Sequence, residues 1–159
     1  MRRSALVLLF LALLTSIASA QIVTLGDPIA FHGVEVHGLA QGRGTHAPTL
    51  VQRRHGILVS LGEGRPARGG VSSTVHVCGV DAMRVETTTE HVASVRVQIP
   101  NHGPDAHLVS PDRPATTTVR LVIPRDGGSV AITWTVATAQ RSRWRALEDA
   151  FFASVRCLD

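Results

Sequence analysis

The chain reads as an α+β protein: an antiparallel β-sheet with one face covered by a C-terminal amphipathic helix. Three observations predict this. The segments Thr116–Ile123 and Ser129–Ala137 alternate apolar and polar residues, with Val119, Leu121 and Ile123, then Val130, Ile132, Trp134 and Val136, on one side. Side chains alternate across a strand, so each segment buries one face of a sheet. Arg125-Asp126-Gly127-Gly128 lies between them and is a turn by composition. The period then changes: Trp144, Leu147, Phe151, Val155 and Leu158 recur at three- and four-residue steps, one stripe of a helix over Arg143–Leu158 with Ser142 as its N-cap. That stripe needs a surface to cover, and the apolar face of the sheet supplies it.

The remaining elements follow in chain order. Gln21–Leu25 is a short edge strand, and Ile29–Val36 a strand interrupted by Gly33. Gly38–Arg54 is rich in Gly and His and shows no period, which predicts a long loop or a poorly specified helix. His55–Leu61 places Ile57, Val59 and Leu61 on one face, and Gly62–Gly70 is a turn. Val71–Val77 and Ala82–Thr89 form a hairpin turning near Gly79-Val80-Asp81. His91–Ile99 alternates again, and Pro100–Ala115 is a proline-bearing connection.

The first twenty residues belong to export rather than to the fold. Arg2 and Arg3 precede the apolar run Ala5–Leu14, and Ala18-Ser19-Ala20 has the small-x-small pattern of a cleavage site. A bilayer span takes roughly 20 apolar residues, and this run is about half that. Met1–Ala20 is therefore expected to be a cleaved signal peptide, leaving 21–159 as one secreted or periplasmic domain with no stable membrane anchor. Arg2 and Arg3 leave with the signal while all 12 acidic residues stay, so the net charge falls from +4 to +2.

All 16 basic residues are arginine, and lysine and tyrosine are absent. This is the composition of GC-rich coding and points to a bacterium. Without lysine there is no Schiff-base chemistry and no phosphate-loop lysine. Scattered arginines and few aromatics argue against nucleic acid as a partner. Cys78 and Cys157, both beyond the signal, are expected to pair in an oxidising compartment and to tie a strand to the end of the closing helix.

The sheet with its Arg143-Trp144-x-x-Leu147-x-x-x-Phe151-Phe152-x-x-Val155 helix resembles the PsbP-like α/β sandwich family. Val77-Cys78-Gly79-Val80-Asp81-Ala82-Met83-Arg84 and Phe151-Phe152-Ala153-Ser154-Val155-Arg156 carry the likeness, which covers mainly residues 55–158. The resemblance implies about six antiparallel strands, and an accessory or binding role rather than catalysis. A likeness of fold licenses no activity.

Candidate chemistry centres on histidine. His102, Asp105 and His107 place two imidazoles and a carboxylate in one segment, a candidate site for zinc or copper. His32 and His37 flank Glu35, but positions five apart on a strand face opposite ways. There is no Gly-x-Ser-x-Gly elbow for a hydrolase. Gly42-Arg43-Gly44 and Gly62–Gly70 do not join a strand to a helix start as a phosphate loop does, and Trp134 and Trp144 fall on apolar faces. The expected function is an exported, non-catalytic domain that binds a protein or cell-envelope partner. A metal-binding exported protein and a small secreted hydrolase are the alternatives.

Overall fold

A computed structural model describes residues 24–40, 43–45, 50–65, 69–100 and 107–158. The signal segment and most of the expected strand Gln21–Leu25 lie outside them. Strands β1 (Leu25–Phe31), β2 (Val34–Leu39), β3 (Arg43–Thr45), β4 (Leu50–Arg54), β5 (Ile57–Glu63), β6 (Val71–Val77), β7 (Val80–Thr89), β8 (Val95–Gln98), β9 (His107–Ser110), β10 (Thr116–Arg125) and β11 (Gly128–Ala137) follow in order. A 3₁₀ turn (Thr138–Gln140), helix α1 (Arg141–Ala153) and strand β12 (Arg156–Cys157) close the chain. Seven strands form an antiparallel sheet in the order β3-β4-β5-β11-β10-β7-β6, and β1-β2-β12 form a smaller one.

The period-two segments build the middle of the large sheet. Ile57, Val59 and Leu61 of β5, Val119, Leu121 and Ile123 of β10, and Val130, Ile132, Trp134 and Val136 of β11 are all buried. Phe151 of α1 and Val34, Val36 and Leu39 of β2 pack against them. The cover on this face is therefore shared between the helix and the small sheet. Trp134 and Phe151 meet with ring centroids 5.3 Å apart at the centre, a separation suited to tilted aromatic pairs.

Several local expectations are corrected. Gly33 does not interrupt a strand; His32-Gly33 is the two-residue turn between β1 and β2, with Phe31 paired to Val34. His55-Gly56 and Cys78-Gly79 repeat the device, so the β6–β7 turn falls one position before the expected one. Each pair has φ between 46° and 76° at both residues, the left-handed geometry that matches the twist of hairpin strands. Gly38–Arg54 is neither loop nor helix where it is described, because it supplies β3 and β4.

The two sheets are joined by polar contacts as well. Gln52 of β4 accepts the Leu39 N–H of β2 through Oε1 at 2.8 Å, and Gly38 lies close against the same amide group. Replacing Gln52 with alanine leaves that half-buried N–H without its partner. The expected cost is about 1–2 kcal/mol, read as a lower urea midpoint with an unchanged slope.

The helix begins at Arg141, two residues before the expected Arg143, with Gln140 rather than Ser142 at the N-cap and no side-chain cap bond. Arg141 in the first turn is instead held by Glu86 and Glu148. The helix ends at Ala153 rather than Leu158. The Ser154 hydroxyl donates to the Phe151 carbonyl at 2.7 Å and accepts the His37 N–H at 3.0 Å. The chain then turns back as β12, whose Arg156 and Cys157 pair with Glu35 and Val34.

Cys78 and Cys157 form a disulfide. Because Cys157 lies on β12, the bond joins the β6–β7 turn to the small sheet, not to the helix. Such a bond persists in an oxidising compartment. Among the described residues no helix is long and apolar enough to cross a membrane.

Candidate functional site: a protruding apolar ribbon

Strands β7 and β10 do not stop where the seven-stranded sheet stops. Thr89 pairs with Thr116, Val92 forms an isolated bridge with Arg113, and β8 and β9 resume with Val95 opposite Ser110. Each step advances both sides equally by three residues, so one register runs from Met83–Val122 out to Gln98–His107. The expected connection Pro100–Ala115 thus contains the returning strand β9, and with β8 it forms a two-stranded ribbon beyond the sheet.

The base of the ribbon is pinned by short polar contacts. Val92 and Arg113 exchange backbone hydrogen bonds of 2.9 Å. Thr89 and Thr116 bond through their hydroxyls at 2.7 Å, and the His91 imidazole meets the Asp112 carboxylate at 2.8 Å. Beyond this base all four residues of β8, and Leu108 and Val109 of β9, are exposed. Val95 and Val97 of β8 share a face with Leu108 of β9, since Val97 is opposite Leu108 and Val95 opposite Ser110. Val109 lies on the other face with Arg96, Gln98 and His107.

Of the eight large apolar residues that are exposed among the described ones, five are here. Val92 is 51% exposed, Val95 51%, Val97 54%, Leu108 66% and Val109 59%. Single exposed apolar side chains need no explanation, whereas a cluster marks an interaction surface. A two-stranded ribbon is marginally stable in water on its own, so a partner that covers these valines also stabilises their pairing.

The residues singled out for chemistry fall elsewhere or apart. His107 starts β9 and pairs with Gln98, while His102 and Asp105 lie outside the described residues. Among the described residues no group of three or more His, Cys, Asp or Glu side chains could hold a metal ion. His32 is in a turn and His37 on β2, where its Nδ1 lies 3.0 Å from the Gly26 carbonyl oxygen. Trp134 is fully buried, and Trp144 is half-buried beneath the Arg143 guanidinium, 4.8 Å from its ring centre. Gly62 belongs to β5, and Gly64 extends its pairing through an N–H to the Ser129 carbonyl at 2.7 Å.

A cavity of about 480 Å³ opens at the other end of β10, lined by His32, Glu63, Arg125, Asp126 and Ser129 among others. Its charges are mixed. Arg125 donates to the Leu158 carbonyl at 3.3 Å, and Ser129 to the Gly64 carbonyl at 3.1 Å. These side chains are engaged in closing the fold.

The sequence pattern missed one functional-looking group, the fully buried carboxylate of Glu148. Arg141 reaches it through Nε at 3.3 Å and Nη2 at 3.2 Å, and Arg84 stands 3.5 Å away. Arg141 also clasps both carboxylate oxygens of Glu86. That hydrogen-bonded guanidinium holds the Glu86 carboxyl below its ordinary range, and the two carboxylates hold the Arg141 pKa above its own. The network docks α1 on β7. Compared with family models, curated proteins and solved structures, the chain finds no match.

Proposed function

We propose that the mature chain is an exported, non-catalytic binding domain of a bacterium, secreted or periplasmic, that engages a protein or cell-envelope partner through the β8–β9 ribbon. The observation that carries this reading is the concentration of exposed valine and leucine on two strands that extend from the sheet in unbroken register. A sheet presenting an apolar projection suits binding, because the base of the projection is already held by the fold. The Glu148–Arg141–Glu86 network, in which Glu148 is fully buried, packs the helix on the sheet. The N-terminal export pattern and the disulfide support delivery to an oxidising compartment.

The test compares wild-type mature protein with Val97→Asp and Leu108→Asp for retention of material from the native envelope fraction. Both side chains stand clear of the core, so folding and melting temperature stay near wild type. The expected result is one retained component whose binding falls at least about tenfold in each variant, the size of loss typical of a central apolar contact. Equal retention by wild type and both variants removes the ribbon from the function.

A further inference from the structure

The large sheet ends on one side at β6, and among the described residues no further strand covers this edge. Proteins blunt exposed sheet edges with charge, proline, bulges or short strands. The other free edges of the two larger sheets follow that practice. Strand β1 carries Asp27, Pro28 and a register break between Leu25 and Pro28, while β3 and β12 have three and two residues. Strand β6 has seven residues, Val-Ser-Ser-Thr-Val-His-Val, with no proline, no acid and no arginine. It pairs with β7 without interruption from Val71–Glu86 to Val77–Val80.

The outward groups of this edge have a symmetry of their own. A two-residue turn makes Val77 and Val80 exchange backbone hydrogen bonds. By alternation Val75, Ser73 and Val71 also bond to β7. Ser72, Thr74 and His76 then turn their N–H and C=O groups away from the sheet, spaced evenly about Thr74. An antiparallel copy of the same strand satisfies all of them in one register, with Thr74 opposite itself and Ser72 opposite His76.

Side-chain chemistry agrees with that register. No ionised group faces a like one, and the His76 ring is already engaged by Asp81 at 3.2 Å. Val71, which is 78% exposed, comes beside Val77 of the second copy, a favourable cross-strand apolar pair. Among the described residues no strand other than β7 pairs with β6. A second copy brings the same seven uncharged residues, and the two-fold register closes all the outward groups of both copies at once.

We infer that β6 is the seam of a symmetric dimer, in which two copies pair edge to edge through Ser72, Thr74 and His76 to make one continuous sheet. This is independent of what the ribbon binds. The experiment is sedimentation equilibrium of the mature, oxidised protein over a wide concentration range. The expected wild-type mass is twice that of the chain. Thr74→Pro removes an outward donor that β7 does not use, so the mass halves while the circular dichroism spectrum is kept. Thr74→Lys and Thr74→Glu each put like charges face to face across the axis and are also expected to halve it.

Mixing the Lys and Glu variants restores the doubled mass, because only a position that faces itself is rescued in this way. A wild-type protein that stays monomeric at its highest soluble concentration overturns the proposal. So does a dimer that persists in Thr74→Pro and Thr74→Lys, or folded Lys and Glu variants that fail to combine.

Discussion

Replacing Cys78 and Cys157 with alanine is expected to lower the stability of the mature domain by about 4 kcal/mol. The bridge spans 79 positions, and constraining a denatured chain over a loop of that length is worth about 4.5 kcal/mol in the chain-entropy account. For a domain of this size the corresponding fall in melting temperature is roughly 10–15 °C. The structure says where loosening begins. Cys157 belongs to a strand of only two residues, whose other ties are its pairing with β2, the Leu158 N–H to the Gly33 carbonyl at 2.8 Å, and Arg125 on the Leu158 carbonyl. Without the bridge the amides of β12 should exchange with solvent before those of β10 and β11. Thermal melts of oxidised and reduced wild type beside the double variant check the magnitude, and hydrogen exchange checks the order. An unchanged melting temperature on reduction would show that the bridge is idle.

Arg141→Ala is the second large effect, expected to cost about 3 kcal/mol. It leaves the fully buried Glu148 carboxylate without its bidentate partner, and breaking a buried pair typically costs about 3–5 kcal/mol. The lower end applies because Arg84 and Arg145 remain, at 3.5 and 3.9 Å from Oε1. The penalty comes from an uncompensated charge more than from a lost attraction. Arg141→Ala combined with Glu148→Leu should therefore be milder than Arg141→Ala alone, and a double-mutant cycle by urea denaturation reads the difference.

The same network sets an acid limb. The Glu86 carboxyl is held below its ordinary value of 4.5 by the Arg141 hydrogen bond. A carboxylate with a depressed folded pKa contributes stability that is complete above its unfolded pKa and is lost as pH falls through the folded one. Wild-type stability should decline as pH falls below about 4.5, and Glu86→Gln should make that decline shallower. Glu86 is more than one-third exposed, so solvent screening keeps its share modest.

How far these features were legible beforehand depends on whether a buried face marked them. Strands β10 and β11 stand out because the core takes every second side chain, from Val119 to Ile123 and from Val130 to Val136. The tight turn between them is written in Asp126-Gly127. The β1–β2 hairpin was not visible, because His32-Gly33 has the geometry of a turn without the composition that announces one. The helix stripe led to Phe151 but not to Glu148, since apolar periodicity counts no carboxylates. It also ran past Ser154, because Val155 and Leu158 keep the helical spacing while the backbone has already turned to pair with β2.

The ribbon shows the same limit from the other side. Val95 and Val97 alternate, but Leu108 and Val109 are neighbours, and with no core beneath them neither pattern selects a face. A strand set only by the register of its neighbours leaves little trace in its own residues.

The sequence alone determined the fold class, the central strands, the existence of a closing helix and the pairing of its only two cysteines. Each rests on a local periodicity or on a choice with one partner, which a chain carries residue by residue. The tertiary structure alone decided which strands lie at edges, that the disulfide staples sheet to sheet, that a glutamate sits at the heart of the helix contact, and that a ribbon extends beyond the large sheet. Those are matters of what lies next to what across tens of residues, and long-range adjacency is a property of packing rather than of pattern.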